Sequence, residues 1–177
     1  MSATATSRIS ASAAVAALQR NGVDHVVTVP DWVQLSLHER LQRGVPGIRL
    51  LNTTNENQCI TVAAGLTIGG RKPVLVMQNQ GLYNGLNTLR AVCLDAQVPL
   101  VFMVGQFGRE YANLGQDPRQ SRRTMVRIME PLLEAIGVSH VRVETDADFD
   151  GLEEAYARAE RERGAVVLLV GAPIGWC

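Results

Sequence analysis

The sequence predicts an α/β protein with a doubly wound, mostly parallel sheet and helices on both faces. Three observations carry this. Short, almost wholly apolar and β-branched runs recur at 25–29, 73–77, 99–104 and 165–170, and strands apolar on both sides belong to sheets covered on both faces. Stretches with helical apolar spacing alternate with these runs, and a repeated strand–helix–strand order closes as parallel pairs. No Pro/Gly-rich linker interrupts the 177 residues. The chain is therefore read as one domain, 1–177, with a frayed tail over 1–8.

Element by element, Ser10 or Ser12 caps a helix running to about Arg20, closed by Asn21-Gly22. The run 25–29 is a buried strand stopped by Pro30. Residues 35–41 have helical spacing, and 48–51 form a short strand. An Ala-rich helix runs from Asn55 to Ile68 and ends at Gly69-Gly70. The strand 73–77 is followed by a polar turn and a helix over about 83–94. After the strand 99–104 comes a polar loop, 106–120, longer than ordinary connections and for that reason suspected of function. A helix over 121–136, a strand at 141–143, a helix over about 149–163 and the strand 165–170 complete the chain.

Composition excludes several classes. Lys plus Arg (17) balances Asp plus Glu (17), so no basic field attracts nucleic acid or an anionic membrane. The Ala-rich start is interrupted by Asn, Gln and Arg before it reaches spanning length. The three cysteines, Cys59, Cys93 and Cys177, form no C-x-x-C pair, which fits reduced thiols and a cytoplasmic location. Neither a dinucleotide fingerprint nor a nucleotide P-loop is present. His25, His38 and His140 have no partners at metal-ligand spacing, and His38 is expected on an exposed helix face. No metal site is read from the residues.

In open α/β sheets ligands bind beyond the carboxyl ends of strands, and three such ends are unusual here. They are Val29-Pro30-Asp31, the polar run 52–57 entering an apolar helix, and Gln78-Asn79-Gln80-Gly81-Leu82-Tyr83-Asn84. Glu56 reads in two ways: as a surface carboxylate favoured by the helix dipole, or as a carboxylate at a strand-to-helix junction, placed to share a proton with a ligand ring. The three amides of the third run suit a neutral heterocycle, although polar turns with glycine are also ordinary loop chemistry. Cys93 reads as core, and Cys59, one turn from Glu56, as a minor candidate. Arg109, Arg119, Arg122, Arg123 and Arg127 are either a solvated face or a cationic surface for an anionic substrate or partner.

Taken together, these strand ends resemble the pyrimidine-binding domain of thiamine diphosphate enzymes. The likeness is to the sulfopyruvate decarboxylase α subunit and the matching half of phosphonopyruvate decarboxylase, over about 9–171. The carriers are Val29-Pro30-Asp31, Asn55-Glu56 with Ala63-Ala64-Gly65 and Gly69-Gly70-Arg71-Lys72-Pro73, and Met77-Gln78-Asn79-Gln80-Gly81-Leu82.

The resemblance implies that Glu56 hydrogen-bonds the cofactor's pyrimidine N1′ and so activates it. It further implies that Pro30, Gln80, Gly81, Leu82 and Asn84 line the pyrimidine. Asp31, Tyr83, Gln106 and Arg109 would then face the substrate, a small 2-oxo acid. The family's Gly-Asp-Gly…Asn motif for Mg²⁺ and diphosphate has no counterpart here. A separate β subunit of similar size is therefore expected to hold both, in an α2β2 or higher assembly with the site between chains. Trp32, Leu82, Tyr83 and Leu86 are either that interface or ordinary core. Tyr83 stands where the family has glycine, and Gln106-Phe107-Gly108-Arg109 replaces a His-Arg-Gly or Trp-Arg-Gly run. The expected reaction is decarboxylation. Carboligation or acyl transfer, or a non-catalytic regulatory role, are the alternatives.

Overall fold

In the computed structural model, described over residues 9–176, strands and helices alternate from Ala11 to Val170. The expected frayed tail and Cys177 lie outside the described residues. Ser10 caps α1 (Ala11–Arg20), its hydroxyl accepting from the Ala13 N–H at 3.1 Å. Then follow β1 (His25–Thr28), α2 (Leu35–Gln42), β2 (Arg49–Asn52), α3 (Glu56–Ile68), β3 (Pro73–Gln78) and α4 (Asn79–Leu89). The second half comprises β4 (Leu100–Gly105), α5 (Thr124–Arg127), α6 (Met129–Ala135), β5 (Ser139–Val143), α7 (Leu152–Glu162) and β6 (Ala165–Val170).

The six strands form one sheet in the order β2-β1-β3-β4-β6-β5, and every pair is parallel. The alternating faces of the apolar strands feed two separate clusters. Val26, Val74, Met103 and Leu168 pack with α1, α2 and α7, among them Leu18, Leu37 and Ala155. Val27, Leu75, Phe102 and Val167 pack with α3, α4 and α6, among them Ile60, Leu89 and Leu133. Burial on both faces is what a parallel sheet requires. The chain moves from β1 outward to β2 and returns across β1 to β3, so the winding reverses between β1 and β3. Beyond the carboxyl ends of such adjacent strands lies the crevice where this architecture binds ligands.

Two expected elements differ. The polar turn after β3 does not exist as a turn: α4 starts at Asn79, directly on the strand, so Gln80 and Gly81 lie in its first helical turn. Its far end widens into a π-helical turn over Arg90–Asp95. The helix expected over 121–136 is broken at Ile128 into α5 and α6. Pro131 has no N–H to continue the ladder, and its ring crowds the carbonyl four residues back.

Candidate functional site

Glu56 opens α3, where Asn55 caps the helix by accepting from the Gln58 N–H at 3.0 Å. Its half-buried side chain lies on the first turns of α4. Glu56 Oε2 accepts a hydrogen bond from Asn84 Nδ2 at 3.3 Å, and no other hydrogen bond to this carboxylate is formed among the described residues. The approach is possible because residue 81 is glycine: a Cβ there would stand 2.6 Å from the Glu56 carboxyl carbon, inside any contact that real side chains tolerate. One turn on, a Cβ at Gly85 would be 2.9 Å from Ile60 Cδ1. Glu56 and Ile60 of α3 thus seat on a glycine groove of α4, Gly81 and Gly85.

Around this pair the expected site residues separate. Pro30, beyond β1, and Gln80, in the first turn of α4, are exposed, and the Gln80 amide lies against Met125 Sδ at 3.6 Å. Leu82 is 1% exposed and belongs to the core beneath α4. The Tyr83 hydroxyl donates to the Met125 carbonyl at 2.7 Å, and burial pushes its pKa up to about 12. The bond ties α4 to α5.

Asp31 does not point into the crevice. Its carboxylate accepts from the Gln34 N–H at 2.9 Å and from Gln34 Nε2 at 2.7 Å. The same Gln34 amide reaches the carbonyls of Met77 (3.3 Å) and Met103 (3.2 Å), joining the ends of β1, β3 and β4. His38, expected on an exposed face, is 1% exposed, and its Nε2 accepts from the Asp31 N–H at 3.1 Å. Gln34 carries no sequence motif of its own. The only signal was its spacing three residues after Asp31, that of a side-chain cap.

Gln106 is 3% exposed at the end of β4. Its Oε1 accepts from Arg109 Nη1 at 3.2 Å, while its Nε2 is buried without a partner. Arg109 is turned inward, against the expectation that it faces substrate: its side chain is 1% exposed and ion-paired with Glu144. It also donates to Asn113 Oδ1 (3.0 Å), the Asn113 carbonyl (3.1 Å) and the Gln116 carbonyl (2.9 Å).

The basic cluster is engaged in part: among the described residues Arg122 and Arg123 are exposed and form no side-chain hydrogen bond or ion pair. Arg119 pairs with Glu130 (3.3 Å) and Glu134. Arg142 holds the same buried Glu130 at 2.6 Å and Asp117 at 2.9 Å. Arg127 donates to the Ser121 carbonyl at 3.2 Å and to the Thr124 hydroxyl at 3.2 Å. The long loop 106–123 is therefore strapped down. Cys59, the minor candidate, is fully buried, donates to the Val27 carbonyl at 3.1 Å and is pushed up to about 12 by burial, which leaves no thiolate. Cys93 is core, as expected.

A carboxylate at a strand-to-helix junction, a glycine that makes room for it and the amide of Asn84 upon it form a cradle beyond the carboxyl ends of β2 and β3. Comparison with known families identifies the cradle's setting: the model of the thiamine pyrophosphate enzyme N-terminal TPP binding domain matches residues 10–128. The chain belongs to this family.

Within the family, the α subunit of sulfopyruvate decarboxylase from Methanothermobacter thermautotrophicus is 29% identical over 123 residues, 68% of this chain and 74% of that protein. The corresponding α subunit from Methanococcus maripaludis is 32% identical over 92 residues, 52% of this chain and 54% of that one. The phosphonopyruvate decarboxylase of Streptomyces viridochromogenes is 32% identical over 126 residues, 71% of this chain but 30% of that one. A TPP-binding domain suits the cradle, because Glu56 keeps a carboxylate oxygen free for a ring nitrogen and Gly81 keeps bulk away from it. Among the described residues no cluster of His, Cys, Asp and Glu is arranged to hold a metal ion, and no helix is long and apolar enough to cross a membrane.

Proposed function

We propose that this chain is the pyrimidine-binding α subunit of a two-chain thiamine diphosphate-dependent 2-oxo acid decarboxylase, completed by a β subunit that holds the diphosphate and Mg²⁺. The observation that carries the reading is the seating of Glu56 on Gly81 beyond the carboxyl ends of β2 and β3. Two relatives named as α subunits of a decarboxylase support both the reaction and the need for a partner.

Bound thiamine diphosphate supplies a nucleophilic carbon and an electron sink for loss of carbon dioxide from a 2-oxo acid. Glu56 would hold the proton at the pyrimidine N1′, the role for which a carboxylate with a single long hydrogen bond is suited. Asn84 orients that carboxylate from one side, and Gly81 fixes how closely it lies to α4. Pro30 and Gln80 form the exposed rim against which a flat ring rests. The Asp31–Gln34–His38 brace holds the ends of β1, β3 and β4 in register beneath them.

The test is co-expression with a candidate β subunit and carbon dioxide release from a panel of 2-oxo acids, with and without thiamine diphosphate. Release that requires both chains and the cofactor is expected. A Glu56→Gln complex should assemble, keep its fold and lose exchange of the cofactor's C2 proton, followed by NMR, by orders of magnitude. Undiminished exchange in that complex removes Glu56 from the mechanism.

A further inference from the structure

A cleft of about 220 Å³ opens beyond the ends of β1, β4 and β6, walled by Trp32, Phe107, Tyr111 and Leu114. Three of its aromatic residues are left to solvent, Trp32 at 70%, Phe107 at 38% and Tyr111 at 77% exposed. Among the described residues that line it, the one buried side-chain polar atom without a partner is Gln106 Nε2, a neutral donor. A buried donor without a partner costs roughly 1–3 kcal/mol, so an acceptor on an incoming ligand would be held there strongly.

The charge inventory of the cleft is the second observation. Arg109 is the only cation among its lining residues, and its guanidinium is covered, neutralised by Glu144 and spent on three further residues. It is also locked in place: a Cβ at Gly171 would overlap Arg109 Nη1. Arg123, an exposed arginine, lies with its Cγ 3.9 Å from where a Cβ on Gly108 would stand, and its charge acts on Glu110. A sulfonate or phosphonate tail would find no unpaired cation among the cleft's lining residues. A flat apolar group would find aromatic faces, which favour stacking by about 0.5–1.5 kcal/mol beyond area burial.

Resting on the decarboxylase reading, we infer that the substrate is a 2-oxo acid whose side chain is uncharged and flat or aromatic. It is received by Trp32, Phe107 and Tyr111 with Gln106 as hydrogen-bond donor, in place of the sulfonate or phosphonate tails named for the relatives. The experiment compares kcat/KM of the assembled two-chain enzyme on phenylpyruvate, sulfopyruvate and phosphonopyruvate. Phenylpyruvate is expected to lead by at least about tenfold. Trp32→Ala and Gln106→Leu should lower its kcat/KM mainly through KM, and Phe107→Arg, which adds a free cation at the lip, should shift preference toward sulfopyruvate.

A tenfold lead for sulfopyruvate or phosphonopyruvate overturns the inference. Should no 2-oxo acid be decarboxylated, the parent reading fails by itself, and calorimetric titration of the full chain with the same three acids decides the cleft. Preferential heat from phenylpyruvate that is lost in Trp32→Ala upholds the assignment, and absence of any preference refutes it.

Discussion

The sharpest test of the cradle is Gly81→Ala, because it sets two opposed effects against each other at one atom. Within α4 an alanine is favoured over glycine by about 1 kcal/mol. The new methyl, however, would stand 2.6 Å from the Glu56 carboxyl carbon, so that side chain must leave its place. Forcing it off its rotamer costs of order 0.5–1.5 kcal/mol, and the 3.3 Å bond from Asn84 is lost with it, about 0.5 kcal/mol at this length and exposure.

The two sides nearly cancel, so Gly81→Ala in the full chain should change stability by less than about 1 kcal/mol. For a chain of this length that corresponds to a Tm shift of a few degrees at most. In a Glu56→Ala background the obstruction is gone, and the same substitution should stabilise by about 1 kcal/mol. The double-mutant cycle, read by urea denaturation followed by circular dichroism, should therefore show a coupling of about 1–2 kcal/mol. An identical effect in both backgrounds would mean that Glu56 does not rest on Gly81, and the cradle would be lost as an argument.

Other expectations follow from the same coordinates. Gly85→Ala meets Ile60 Cδ1 at 2.9 Å inside the core, overpacking that costs about 1–3 kcal/mol against the same helix gain of about 1 kcal/mol, and should destabilise by up to about 2 kcal/mol. For Glu130, burial pushes the carboxyl upward, but the hydrogen bonds and charge of Arg142, with help from His140 and Arg119, outweigh it and hold the group below its ordinary 4.5. Its contribution is thus complete above that value and lost as pH falls through the lower folded pKa. Acid titration should accordingly destabilise the wild type more steeply than Glu130→Gln, which itself costs about 1–3 kcal/mol at neutral pH. Cys59 and Cys93, each raised to about 12 by burial, should not react with a thiol reagent at pH 8 in a Cys177→Ser chain until it is unfolded. Rapid labelling of the native chain would contradict their burial.

Much of this was legible from the residues, for reasons that are local. Apolar β-branched runs such as 73–77 can be little else than buried strands, and Glu56 stood out as a charge entering an otherwise apolar helix. What escaped depended on partners far along the chain. Gln80 and Gly81 have the composition of a turn, and only the packing of Glu56 on Gly81 explains glycine in the first turn of a helix. His38 looked solvent-facing because α2 is short and polar. Its burial comes from the Asp31 loop and from Ser36 donating to the Ile174 carbonyl at 2.7 Å, across 138 residues of sequence. Arg109 and Arg119 read as available cations since their acids, Glu144 and Glu130, are remote in sequence.

The strapped loop after β4 has a thermodynamic corollary. Arg109 and Arg119 on the loop, with Glu110 accepting from Ser121 at 2.7 Å and the Arg122 N–H at 2.8 Å, immobilise it before anything binds. Ordering a segment costs about 1–2 kcal/mol of backbone entropy per residue, and here that cost falls on folding instead of on ligand capture. The segment therefore has no hinge with which to act as a shutter. In the two-chain enzyme proposed above, shielding the chemistry from bulk water would fall to the partner's surface, so that assembly of the complex and enclosure of the reaction would be one event.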